Sequence, residues 1–414
     1  MAIDRRKDST NRILKEGEYQ RSNGSYEFRW RDRHGDRHSV YAKNLQELRE
    51  KELKIRRDFY DGVNYDTSLT VNDIYYRWKG VKRGLKANTF QNYKYMYELF
   101  VEESFGQRKL NTIKKSDVRA FYNYLMENRG IKLATVDNIH TVLHQVFDLA
   151  VEDEYLRNNP SDNALKELKR AHRGDSKKRR ALTIQQQELF ENFLRTHPKV
   201  ERWFPIFSVM LWTGMRVGEI TGLRWCDIDL DNNTISVNHT LVYFDKGGTH
   251  RCSFGINTPK TEAGCRVIPM LPRVREAILK EKEYQNLEGV KCNAVIDGYT
   301  DFVFLNRFGM THNQSTLNRA LDRIIRDCNF EALDRNDEEP VLLPNFSNHH
   351  LRHTFATRLV DARVTPKAMM DIMGHSDIQT TMNIYAEASA ELRRNEMENF
   401  DEFYKKFIEV NMAG

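Results

Sequence analysis

At 414 residues the chain has room for roughly two to four domains of about 150 residues, each able to bury its own core. A composition that is 40% hydrophobic, 30% charged and 11% aromatic excludes wholesale disorder. No apolar run approaches the length of about 18 residues that a membrane-spanning helix needs. The N-terminus, MAIDRRKDST, lacks the apolar stretch of a secretory signal, so a cytoplasmic location is expected. Five scattered cysteines (Cys226, Cys252, Cys265, Cys292, Cys328) form no C-x-x-C pair, which argues against a disulfide framework and a cysteine zinc site. The balance of 65 Lys and Arg against 59 Asp and Glu leaves only +6, compatible with nucleic acid, anionic lipid or neither, and the clustering of basic residues in 29–33, 166–173 and 177–180 gives a weak lean toward nucleic acid.

The first segment, residues 1–66, reads as a small α+β module. Tyr26, Phe28 and Trp30 alternate with Glu27, Arg29 and Arg31, the period of a half-buried strand. A turn at Arg33–Asp36 leads into a second alternating run, Arg37–Lys43, so the pair predicts a hairpin, followed by a charged helix over 44–59. Arg29, Arg31 and Arg33 would share one face, either simply solvated or laid as a ribbon in a DNA groove. Trp30 joins them as a candidate contact.

Residues 67–165 switch to helical periodicity. Four stripes predict four helices: Val71, Ile74 and Trp78; Phe90, Tyr93, Tyr97 and Phe100; Val118, Phe121, Tyr122 and Leu125; and Val136, Ile139, Leu143, Val146 and Ala150. Asp117 and Thr135 stand where caps are expected, and Gly130 follows the third helix. Residues 166–181 are polar and basic and read as a linker, with Lys177, Lys178, Arg179 and Arg180 available to DNA phosphates.

Residues 182–414 read as a mixed domain. Helices are predicted at about 183–195, 200–213 and 215–223, and short strands at 234–237, 240–244, 252–256 and 266–270. Helical patterns return at about 273–285 and 313–327, and run from 348 almost to the end. The fold class is therefore multidomain and mainly α with small β-sheets.

Several short patterns in this last region carry polar groups that folding does not require. In Thr213-Gly-Met-Arg216-Val-Gly-Glu219, Arg and Glu are three apart and share a helix face, which alone reads as a salt bridge. Lys260 lies in a turn between two strand-like runs and alone reads as solubilising. His349 and Arg352 are again three apart at a helix start that Ser347 or Asn348 would cap, a good place for an anion. Met373-Gly-His375 precedes a candidate cap, Ser376, and Tyr385 follows ten residues after the histidine.

Taken together and in this order, Arg, Lys, His-x-x-Arg, Gly-His and Tyr resemble the active-site signature of the tyrosine recombinases. The similarity covers residues 182–414 with specific motifs, above all HHLRHTFATRL and the Gly-His…Tyr box. It extends more loosely over 67–165 as a helical, SAM-like core-binding domain and over 1–66 as an arm-binding domain. The pattern is similar to that of integrases of Gram-positive conjugative transposons. The resemblance implies Arg216, Lys260, His349, Arg352 and His375 as the activating set and Tyr385 as the nucleophile, with Glu219 positioning Arg216. Where many relatives carry a serine shortly after the lysine, this chain has Gly264 and Cys265.

The chemistry explains the residue types. Attack on a phosphodiester passes through a more highly charged state, which two arginine forks stabilise. A tyrosine of ordinary pKa near 10 must lose its proton as it attacks, and His349 is the candidate base. Lys260 is the candidate acid for the leaving 5′-oxygen, and the product is a 3′-phosphotyrosine. No Walker loop or zinc-ligand spacing is present, so no cofactor is expected.

The implied function is excision and integration of a mobile element through a Holliday junction. The implied partners are core and arm sites on double-stranded DNA and three further copies in a tetramer, with an excisionase and a host DNA-bending protein as accessory factors. The implied setting is the bacterial nucleoid, without membrane contact. A type IB topoisomerase would use the same residues, and a non-catalytic DNA-binding protein would keep the fold alone. The tail carries an apolar stripe of Leu392, Met397, Phe400, Tyr404 and Phe407, suited either to folding back or to docking on a neighbouring copy.

Overall fold

The computed structural model describes residues 6–31, 35, 37–60, 68–172, 180–246, 251–259, 264–335, 339–375, 377–386, 397, 400 and 401. It divides into two compact units, Met1–Ser176 and Lys177–Gly414.

In the first unit, strands β1 (Glu18–Gln20), β2 (Tyr26–Arg31) and β3 (Arg37–Ala42) form an antiparallel sheet in the order β1-β2-β3, and helix α1 (Leu45–Tyr60) lies against it. The expected hairpin is thus a three-stranded sheet, with Glu18 opposite Phe28. A three-residue strand is too short to show a period-2 pattern. Its anchor is also a buried charge, Glu18, held by Arg49 of α1 at 2.9 Å. Tyr26, Phe28, Leu45, Leu48 and Ile55 form the core beneath the sheet.

The four helices follow as α2 (Val71–Val81), α3 (Ala87–Phe100), α4 (Lys115–Glu127) and α5 (Leu133–Glu152). Helix α5 is central: it buries seven apolar residues and contacts α2, α3 and α4. Thr70 and Asp73 cap α2 reciprocally, the Thr70 amide donating to Asp73 Oδ2 at 2.7 Å. Asp117 and Thr135 are not the caps themselves. Lys114 and Lys132 occupy those positions, and Asp117 acts from the third helical position by accepting from the Lys114 amide at 2.8 Å. The start of the basic segment is a short helix, α6 (Lys166–Ala171), whose Leu168 packs on the bundle core.

In the second unit, α7 (Ile184–Thr196), α8 (Phe204–Thr213) and α9 (Val217–Thr221) precede strands β4 (Ile228–Asp229), β5 (Thr234–Val237), β6 (Thr240–Asp245), β7 (Cys252–Asn257) and β8 (Arg266–Pro269). The strands form a β4-β5-β8 sheet and a separate β6-β7 hairpin, all antiparallel. Helices α10 (Pro272–Glu288), α11 (Gln314–Asp334), α12 (Asn348–Asp361), α13 (Pro366–Met373) and α14 (Ile378–Ala386) complete the unit. Helix α11 outruns its expected end near 327 because its buried stripe continues through Cys328 to Ala332.

Helix α8 is apolar on every side and buries nine of its ten residues, as expected of a helix surrounded by others; α7, α10 and α12 all contact it. Of the tail stripe, Met397 and Phe400 are exposed, while Leu392, Tyr404 and Phe407 lie outside the described residues. Among the described residues, no helix is long and apolar enough to cross a membrane, and no cluster of three or more His, Cys, Asp or Glu is arranged to hold a metal.

Candidate active site

Two helix ends build the site. Helix α8 stops at Gly214 and α13 stops at Gly374, both in left-handed backbone conformations with φ of 61° and 64°. At Gly214 the space also demands glycine: a Cβ would lie 2.5 Å from a Phe355 ring carbon and 2.7 Å from the Met373 sulfur. These turns aim the carbonyls of Gly214, Met373 and Gly374 at two arginines.

Arg216 caps the N-terminus of α9, with Glu219 three positions on. Its amide donates to Glu219 Oε2 at 2.8 Å, its Nη1 to Oε1 at 2.9 Å, and its Nη2 to the Gly374 carbonyl at 2.8 Å. Arg352, on α12, donates from Nη1 to the Gly214 carbonyl at 2.5 Å and from Nη2 to the Met373 carbonyl at 2.7 Å. Helix C-terminal carbonyls carry partial negative charge, so they fix both guanidinium planes without neutralising them. The Arg216 side chain keeps 41% of its exposure and remains reachable from solvent. Burial, together with repulsion from Arg216 and Arg266, pushes Arg352 down to about 9 against the pull of Glu219. It stays cationic at neutral pH, but its charge is poorly compensated, and an anion would relieve it.

His375 follows Gly374 and is buried, with Nδ1 2.9 Å from the Thr381 hydroxyl of α14. Burial and then the charges of Arg352, Arg216 and Arg266 push it down to about 4, so its imidazole is neutral at pH 7. Tyr385, also on α14, is half-buried against a cluster containing Phe355, Val360 and Met373, and its hydroxyl donates to the Val364 carbonyl. His349 is exposed at the start of α12, one turn before Arg352. Ser347, not Asn348, is the α12 cap, and its amide donates to His350 Nδ1 at 3.1 Å.

Arg216, Glu219, Arg352 and His375 are therefore brought together. Lys260 lies outside the described residues, in the connection between β7 and β8. In the first unit, Arg29 and Arg31 are exposed on one face of β2. Arg29 stands over the Tyr19 ring at 4.8 Å and pairs with Glu27 at 2.9 Å. Trp30 is on the opposite face, stacked between Phe28 at 5.6 Å and His38 at 5.5 Å and packed on the core, so it does not share a surface with the two arginines. Arg180 is exposed; Arg33, Lys177, Lys178 and Arg179 lie outside the described residues.

Sequence reasoning missed Arg266. Its side chain is 5% exposed and grips Glu219 with both terminal nitrogens, at 2.8 and 3.2 Å. It also missed Thr381 as the partner of His375. The two glycines had a legible signal, a Gly directly after a helical pattern, whereas an inward arginine on a short strand had none.

Comparison with known proteins finds similarity along most of the chain. Residues 180–391 match the phage integrase family, residues 2–59 the DNA binding domain of tn916 integrase, and residues 70–126 the phage integrase N-terminal SAM-like domain. The chain is 29% identical to the transposase from transposon Tn916 of Enterococcus faecalis over 96% of this chain and 97% of that protein. It is 25% identical to the ICEBs1 integrase of Bacillus subtilis over 83% and 86% of the two chains. Its fold is similar to that of the Tn1549 transposon integrase in complex with transposon right end DNA. That similarity has a TM-score of 0.68 at 29% identity and covers 80% of this chain and 99% of that one. With a family match spanning residues 180–391 and relatives aligned over nearly its full length, the chain belongs to the phage integrase family and is a tyrosine-type site-specific DNA recombinase.

Proposed function

We propose that the Arg216, Arg352 and His375 cluster binds the scissile phosphate and that Tyr385 attacks it. The observation that carries this reading is the pair of guanidiniums clamped by helix-end carbonyls beside a neutral histidine, with a tyrosine on the next helix. Arg216 and Arg352 stabilise the non-bridging oxygens as negative charge develops. His375, engaged by Thr381 through Nδ1, offers Nε2 to the phosphate. The Tyr385 oxygen forms a bond to phosphorus as the P–O5′ bond breaks. His349 takes the phenolic proton, and Lys260 protonates the departing 5′-oxygen. Religation runs the same steps backwards with a 5′-hydroxyl from a partner duplex, so a Holliday junction forms without loss of bond energy.

Residues 182–414 act as the catalytic domain, 67–165 as a core-binding domain and 1–66 as an arm-binding domain, and 166–181 is a basic connection from the core-binding to the catalytic domain whose first turns, α6, pack on the bundle. Double-stranded DNA is the substrate, held at arm and core sites, and four copies assemble on it, with an excisionase and a host DNA-bending protein as accessory partners in the bacterial cytoplasm. The Tn1549 integrase, with structures in complex with transposon right end DNA and with circular intermediate DNA, supports this choice of substrate.

The test uses nicked duplexes from the DNA flanking the gene, incubated with full-length protein in EDTA. We expect an SDS-resistant protein–DNA band that Tyr385→Phe abolishes. Equal bands from wild type and Tyr385→Phe would assign the chemistry to another residue.

A further inference from the structure

We propose that Arg266 is a positioning residue for strand cleavage: it holds Glu219 so that Arg216 keeps its fork for the phosphate, and it ties the strand following Lys260 to the turn carrying His375. The inference rests on the roles given above to Arg216 and His375.

Arg266 opens β8, six residues after Lys260. Its side chain and that of Glu219 are 5% and 4% exposed, which makes this an ion pair withdrawn from water. The contact is fork to fork, Nη2 to Oε2 at 2.8 Å and Nη1 to Oε1 at 3.2 Å, the strongest geometry an arginine and a carboxylate can adopt. The remaining Nε donates to the Ile372 carbonyl at 2.7 Å, near the end of α13. Gly374 packs so closely that a Cβ there would lie 2.8 Å from Arg266 Nη1. Arg266 therefore joins β8, α9 and the turn before His375, and its inward contacts separate it from substrate.

The consequence falls on Arg216. Its side-chain pairing with Glu219 uses a single nitrogen, Nη1, on an oxygen already shared with Arg266. Burial alone would push the Glu219 carboxyl up, but the Arg266 guanidinium overcomes this and keeps it ionised below its ordinary range. Two arginines around one carboxylate leave one positive charge over. Because Arg266 occupies the fork, that charge resides on the more exposed Arg216. Without Arg266, the carboxylate has only Arg216 to turn to and would compete with the phosphate for it. Removing one partner of such a pair strands a buried charge and destabilises the fold, whereas removing both often costs little, so melting and cleavage have to be read together.

The experiment measures DNA affinity, single-turnover cleavage of the nicked duplexes and thermal melting of full-length variants. For Arg266→Met we expect cleavage slowed about 10–100-fold, by analogy with the loss seen when the outer partners of metal ligands are removed, at unchanged DNA affinity. The double variant Arg266→Met with Glu219→Gln should cleave faster than Arg266→Met alone, because no carboxylate then draws on Arg216. A structural role predicts that cleavage recovers only in step with the melting temperature, whereas the positioning role predicts that Arg266→Met stays slow under conditions where it is fully folded and that the double variant is faster there. Arg266→Lys, which keeps the charge and loses the fork, should fall between wild type and Arg266→Met, and it decides the matter if Arg266→Met fails to fold. Wild-type cleavage by either single variant, or a double variant no faster than Arg266→Met, overturns the inference. Tyr385→Phe in the same assay separates the readings: adducts from it refute the site itself, whereas their absence beside fully active Arg266 variants refutes only the role of Arg266.

Discussion

His375 shows how the site's charges act on a single residue. Its value of about 4 lies below the ordinary 6.5, so as pH falls through 6.5 the unfolded chain takes up a proton that the folded chain refuses. Stability contributed by the neutral histidine is therefore present above pH 6.5 and lost between about 6.5 and 4; half-buried His312, also near 4, acts in the same direction. An NMR titration of the DNA-free protein should place His375 well below 6, and a midpoint at 6.5 would contradict the charge arrangement described. Gly214 gives a second prediction at this scale. Alanine there incurs about 1–2 kcal/mol of left-handed strain before its overlap with Phe355 and Met373 is counted. Gly214→Ala should lower the melting temperature and slow cleavage; unchanged melting would mean that α12 and α13 relax freely around the turn. Gly214 and Gly374 carry a helix-stop signal that the sequence reading did not use, and Arg216, Arg352, His375 and Tyr385 entered through their resemblance to the tyrosine recombinase signature. Arg266 was not legible, because period-2 alternation over four residues cannot tell an inward arginine from an outward one.

Helices were easier to read than strands, for a physical reason. Helix α5 repeats its apolar stripe over 20 residues, so a single misfit does not hide the pattern. Strand β1 has three residues and depends on the Glu18–Arg49 pair, a contact 31 positions apart that no local pattern contains. The three-stranded sheet it completes has one packed face, with Tyr26, Phe28 and Trp30, and one face of Tyr19, Arg29, Arg31 and Tyr41. A basic face interleaved with aromatics suits the phosphates and base edges of a groove. Arg29→Ala with Arg31→Ala should weaken arm-site binding and reduce the slope of log affinity against log salt by about 2, one per lost phosphate contact. An unchanged slope would remove this face from the interface.

At the scale of the whole molecule, the two units carry separate cores, and the residues proposed for cleavage all belong to the second. We propose the tail beyond α14 as the segment that docks on a neighbouring copy. Deleting residues 390–414 should weaken synapsis of two DNA sites while leaving single-site binding intact, as gel-shift analysis of paired and single sites would show. Equal synapsis by the truncated chain would mean that the tail serves only its own copy. The central claim concerns one oxygen atom. The tryptic peptide Ala368–Arg393 contains Tyr385 and no other tyrosine. Mass spectrometry of protein trapped on a nicked duplex in EDTA, then digested with nuclease and trypsin, should find this peptide carrying a nucleotide 3′-phosphate on Tyr385. The same adduct on a different peptide, or trapped protein with this peptide unmodified, would contradict the account.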